Sequence, residues 1–73
     1  MPLLQQQFGK RLRQLRRQRD ITQEKLAQEA DISVEFLSNL ERGINAPSFE
    51  TLERLATALE VSVQDLFNFN AKI

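Results

Sequence analysis

Thr22-Gln23-Glu24-Lys25-Leu26-Ala27-Gln28-Glu29-Ala30-Asp31-Ile32-Ser33-Val34-Glu35-Phe36-Leu37-Ser38-Asn39-Leu40-Glu41-Arg42-Gly43 is the stretch that decides how this chain folds. It predicts two short helices joined by a tight turn. Thr22 is a capping residue, Glu24 puts an acid in the first turn, and Leu26, Ala27 and Ala30 share one side of the helix that follows. Ser33 caps a second helix over residues 33–42, with Phe36, Leu37 and Leu40 on one side. Gly43 stands where a left-handed residue commonly ends a helix. Two such helices cross steeply only where the residues at the crossing are small or apolar. Ala27 supplies the missing bulk, Ala30 and Ile32 flank the turn, and Leu37 and Leu40 seal the second helix against a core. The opposite side of that helix (Ser33, Val34, Glu35, Ser38, Asn39) is left free.

Outward from this pair the helical period continues. Leu4, Phe8, Leu12 and Leu15 recur every three or four residues, predicting a first helix with one buried face that runs to about Arg19. Asn45-Ala46-Pro47-Ser48 is turn chemistry, and Ser48 caps a fourth helix whose inner face is expected to be Phe49, Leu52, Leu55, Ala56 and Leu59. Ser62-Val63-Gln64-Asp65 resembles a capping box with Asp in place of Glu or Gln, opening a short fifth helix with Leu66 and Phe67. No segment alternates as a strand would. An all-α, compact five-helix bundle is expected, one domain over residues 1–73 with its core at about 4–67, the paired helices at 22–42 and a tail at 68–73.

Composition narrows the function classes. A chain of 73 residues forms one small domain, hiding only about 60% of its unfolded surface, so its stability is expected to be modest. Without cysteine there is no disulfide or thiolate metal site, and without histidine the commonest general base and metal ligand are missing. No enzyme, cofactor, metal or small-molecule ligand is therefore expected. No apolar run is long enough to span a bilayer, and Met1-Pro2-Leu3-Leu4 lacks the basic start and apolar core of a secretory signal. A cytoplasmic protein without a membrane partner is expected. The formal net charge is zero, yet six of the ten basic residues (Lys10, Arg11, Arg13, Arg16, Arg17, Arg19) fall in one stretch that holds no acid. Such a local field suits a polyanion, although a solvated helix face would look the same.

The ordered set Leu12-x-x-Leu15-Arg16, Thr22-Gln23-x-x-Leu26-Ala27, Leu37-Ser38-x-Leu40-Glu41-Arg42-Gly43, Pro47-Ser48 and Leu52-x-x-Leu55-Ala56-x-Ala58-Leu59 resembles the phage-repressor-like (Cro/cI, Xre) helix-turn-helix family. The resemblance runs from about Leu12 to Phe67. It implies the lambda-repressor-like bundle and sequence-specific binding of double-stranded DNA, with the helix at 33–42 in the major groove. One departure is Asp31, where the family usually has Gly in the turn; Asp enters the left-handed region more readily than most residues. By their places, Val34, Glu35, Ser38 and Asn39 would read bases. Val34 suits a thymine methyl, Glu35 cytosine N4 and Asn39 adenine. Arg16, Gln23, Ser33, Arg42, Asn45 and Ser48 would contact phosphates, helped by backbone amides near residues 45–49. The resemblance further implies a partly buried ion pair between Arg16 and Glu41.

Three functions compete on these residues. One is a homodimeric transcriptional regulator on a palindromic operator, with Val63, Phe67 and Phe69 as candidate dimer contacts; Phe67 and Phe69 could instead simply close the core. Another is an antitoxin of the same fold that also binds a toxin protein. The third, a helical interaction module without DNA, is disfavoured because the free side of the 33–42 helix is not apolar.

Overall fold

Four of the five helices begin at a side chain that caps them. The computed structural model describes residues 3–70, which form α1 (Leu3–Gln18), α2 (Gln23–Ala30), α3 (Val34–Glu41), α4 (Phe49–Leu59) and α5 (Val63–Leu66), with no strand among the described residues. Thr22, Ser33, Ser48 and Ser62 cap the last four, each side-chain oxygen accepting a backbone N–H three residues on. At α5 the box is complete, because the Asp65 carboxylate also accepts from the Ser62 N–H. Aspartate thus does the work of the usual Glu or Gln.

The helix ends repeat one device. Asp20, Asp31, Gly43 and Glu60 all have φ between 57° and 76°, in the left-handed region. In every case the next residue (Ile21, Ile32, Ile44, Val61) donates its N–H to a carbonyl five residues back, on Arg16, Ala27, Asn39 and Ala56. This closure satisfies carbonyls that a helix end otherwise leaves unpaired. Asp31 therefore makes the turn expected of it, and Asp20 and Glu60 make the same turn elsewhere.

Leu12, Leu26, Leu37, Leu40, Leu55, Leu59 and Leu66 are fully buried. Each contributes about 1.5–3 kcal/mol relative to exposure. Ala27, Ala30 and Ala56 lie among them. α2 packs mainly on α4, and α1 mainly on α3, while α5 closes one end between α1 and α4. There Phe67 stacks on Phe8 with ring centroids 5.3 Å apart, and Phe69 meets Phe67 edge-on at 6.1 Å.

Two expected core residues lie outside. Phe49 is in phase with Leu52 and Ala56 but is the first residue of α4, where no neighbour covers it, and it is 86% exposed. Leu4, in the first turn of α1, is 57% exposed for the same reason. Period alone fixes direction, not whether another element is there to receive the side chain. Of the tail expected at 68–73, Phe69 is half-buried and residues 71–73 lie outside the described residues.

Candidate nucleic-acid interface

The α2–α3 pair is set by its turn. Asp31 in the left-handed conformation ends α2, and two residues later Ser33 is extended and caps α3 (φ −74°, ψ 153°). Leu37 and Leu40 are then buried, so the other side of α3 faces out. Ser33, Val34 and Glu35 are exposed, whereas Ser38 and Asn39 are half-buried. Val34 and Glu35 occupy the first turn, the end that a reading helix presents to base edges.

At the other end of α3, a glycine brings two helices together. A Cβ on Gly9 would lie 2.5 Å from the Leu40 carbonyl oxygen and 2.6 Å from that of Glu41. Only a residue without a side chain lets α1 approach α3 this closely. One and two turns further along α1, Arg13 and Arg16 reach Glu41, whose carboxylate is closed off from solvent. Arg16 forms a forked pair with it, Nε to Oε2 at 2.7 Å and Nη2 to Oε1 at 3.1 Å. Gln23 Nε2 donates to Oε1 at 3.0 Å, and Arg13 Nε stands 3.5 Å from that same oxygen. Burial pushes the Glu41 carboxyl upward. The hydrogen bonds from Arg16 and Gln23 and the charges of Arg16 and Arg13 more than reverse this and hold it below its ordinary value. Arg16 is raised in turn, chiefly by its hydrogen bond to Glu41.

The expected ion pair is therefore present, with two partners the sequence did not assign to it. It also bears on the expected phosphate contacts. Arg16 sends Nε and Nη2 to Glu41 and Nη1 to the Ile21 carbonyl, so its guanidinium is engaged inside the protein. Gln23 sits at the start of α2 as expected, but its amide leans on Glu41. The Ser48 hydroxyl is held by Thr51, accepting from its N–H and donating to its Oγ1. Ser33 Oγ accepts from the Phe36 N–H and keeps its own hydroxyl hydrogen available. Arg42 is exposed just past α3, and Asn45 is half-buried in the following turn. Gln5 ties that turn to α1 by donating to the carbonyls of Gly43 and Ile44.

One member of the basic block leaves the surface altogether. Arg11 is buried, its Nε donating to the Asp65 carbonyl at 2.8 Å and its Nη1 to Gln14 Oε1 at 2.8 Å. A cation there meets the carbonyl end of α5. Its spacing, three residues after Phe8 and four before Leu15, places it on the buried face and was the signal available.

The sequence and the fold are similar to those of known proteins. Residues 12–66 match the helix-turn-helix family HTH_3. The chain is 48% identical over 56 residues to the HTH-type transcriptional regulator DdrOP3 of Deinococcus deserti, a match covering 77% of this chain and 43% of that protein. It is 38% identical over 63 residues to the control protein C.BamHI of Bacillus amyloliquefaciens, covering 85% and 78%. The chain thus spans less than half of the first relative and most of the second. The crystal structure of the restriction-modification controller protein C.AhdI from Aeromonas hydrophila superposes with a TM-score of 0.83 at 35% identity, covering 85% of this chain and 94% of that one. On the match across three quarters of its length, the chain belongs to the HTH_3 helix-turn-helix family.

Proposed function

We propose that this protein is a sequence-specific DNA-binding transcriptional regulator in which α3 reads the major groove. The observation that carries this is the outward side of α3. Its first turn presents Val34 and Glu35, and Arg42 stands exposed just past its last turn, around a helix whose other side is fixed by Leu37 and Leu40. The names of the relatives, transcriptional regulators and controller proteins, point the same way. Base reading belongs to Val34, Glu35, Ser38 and Asn39. Phosphate contacts fall to Arg42, Ser33, Gln23 and the N-terminal amides of α4, with Arg16 holding Glu41 in place rather than reaching out. One helix of this length reads few base pairs, which favours a homodimer on a palindromic site. Val63 and Phe67 remain partly exposed for that contact.

Selection from random duplexes followed by a mismatch scan tests this. Asn39→Ala should lose roughly 1–3 kcal/mol at one base position per half-site. Arg42→Ala should weaken all sequences alike and flatten the salt dependence. If Asn39→Ala weakens every duplex equally and leaves selectivity untouched, α3 is not the reading element.

A further inference from the structure

The fold sorts the six basic residues of α1 and its end by destination. Arg11 is drawn inside to α5, Arg16 is locked onto Glu41, and Arg19 pairs with Glu60 at the end of α4. What remains is Lys10, Arg13 and Arg17, spaced by three and four residues and therefore on one side of α1. Lys10 and Arg17 are exposed, and among the described residues neither forms an ion pair. Arg13 reaches to 3.5 Å from Glu41, the residue on which Gln23 of α2 also rests, so this side of α1 adjoins both the start of α2 and the end of α3.

Two clefts join here. One, of about 520 Å³, is lined by Gln6, Lys10, Arg13, Glu41 and Arg42. The other, of about 400 Å³, is lined by Lys10, Arg13, Gln14, Arg17 and Gln18. They share Lys10 and Arg13, so they form one trough leading away from Arg42 along α1. Its single acid is Glu41, whose carboxylate is closed off from solvent and neutralised by Arg16.

We propose that this trough is a second binding surface, which takes the phosphodiester backbone of duplex DNA beyond the base pairs that α3 reads. The proposal rests on the DNA-binding function put forward above and extends the footprint past the helix-turn-helix. Lysine, arginine and glutamine side chains line the trough, all donors suited to phosphate oxygens. Aromatic or branched apolar anchors, on which protein interfaces centre, are missing from its lining. Lys10 and Arg17 lie about 10 Å apart along the helix axis, far enough to meet separate phosphates.

The test uses the whole chain, a duplex selected from a random library with flanks of about one helical turn, and the same duplex trimmed to the edge of the site. Lys10→Gln/Arg17→Gln removes two exposed cations while leaving Arg13 on Glu41, and circular dichroism should show an unchanged melt. On the long duplex the slope of log affinity against log salt should fall by about 1.8, from roughly 0.9 for each lost phosphate contact. The affinity lost between 50 and 200 mM salt should then be about tenfold smaller than for wild type. On the trimmed duplex the two proteins should bind alike, and the pattern of mismatch penalties should not change. An unchanged slope on the long duplex, with wild-type binding intact, overturns the trough and spares the reading helix. An equal loss on both duplexes also overturns it, because the contacts then lie within the site. If wild type binds no selected duplex, the function itself fails, and the trough with it.

Discussion

Glu41→Gln is the most informative single substitution in this protein, because it keeps the shape of a buried side chain and deletes its charge. The native carboxylate accepts two bonds from Arg16, at 2.7 and 3.1 Å, and one from Gln23 at 3.0 Å. Glutamine retains one acceptor oxygen and puts an NH2 group where the other stood, facing the donors of Arg16. At least one charge-assisted bond, worth about 1.5–3 kcal/mol, is lost. Arg16 is left beside a neutral partner. A cost of about 2–3 kcal/mol follows, against a total stability of roughly 4–11 kcal/mol for a domain of this length. The melting temperature should fall by roughly 10–20 °C.

The pH dependence separates charge from shape. The Glu41 carboxyl is held below its ordinary value in the folded protein, so the unfolded chain takes up its proton first as pH falls. The stabilisation is therefore complete above the unfolded value of about 4.3 and is lost as pH drops through the folded one. Arg16 shifts upward from an already high value and contributes nothing to this window. Urea unfolding at pH 7 and pH 3 reads the difference directly. The gap between wild type and Glu41→Gln should be widest at pH 7 and should narrow at pH 3. In a double-mutant cycle with Arg16→Met, the two sites should couple by about 1 kcal/mol or more. A gap that is the same at both pH values, together with no coupling, would refute the ion-paired cluster.

Three further positions probe the backbone. Gly9→Ala should gain up to about 1 kcal/mol from helix propensity, yet lose more because its Cβ meets the carbonyl oxygens of Leu40 and Glu41 at 2.5 and 2.6 Å. The net loss should be about 2 kcal/mol, and a melting point equal to or above wild type would mean that α1 does not approach α3 so closely. Glu60→Gly relieves a left-handed residue at the end of α4 but also removes the pair with Arg19, so it is compared with Glu60→Ala, over which it should be more stable by about 0.5–1 kcal/mol. Asp31→Gly should gain less than that, since aspartate enters that region more readily; a Glu60→Gly protein no more stable than Glu60→Ala in thermal melts would contradict the left-handed end of α4.

Most of the bundle was legible in the sequence because local signals and core pattern agree. Thr22, Ser33, Ser48 and Ser62 are at once good caps and the residues just before each apolar stripe, and all four cap a helix. The turn at Asp31 was readable because it stands where the resembled family usually has Gly and because aspartate enters the left-handed region readily, whereas Glu60, and Asp20 despite its residue type, make the same turn without such a positional cue. What escaped depends on where separate helices meet. Phe49 has the phase of a core residue, and only the position of the other helices leaves it exposed. Gly9 looks like a small defect in a helix, and its role exists only because the end of α3 passes within 3 Å of its missing Cβ. Arg11, Arg13, Arg16, Arg17 and Arg19 are one basic run in sequence, but a helix turns each successive side chain by about 100°. The fold therefore hands neighbouring arginines to α5, to Glu41, to Glu60 and to solvent. The charge available to a polyanion is then set by what each arginine meets across the bundle, and the spacing alone could not separate Arg16, which holds α3 in place, from Arg17, which faces water.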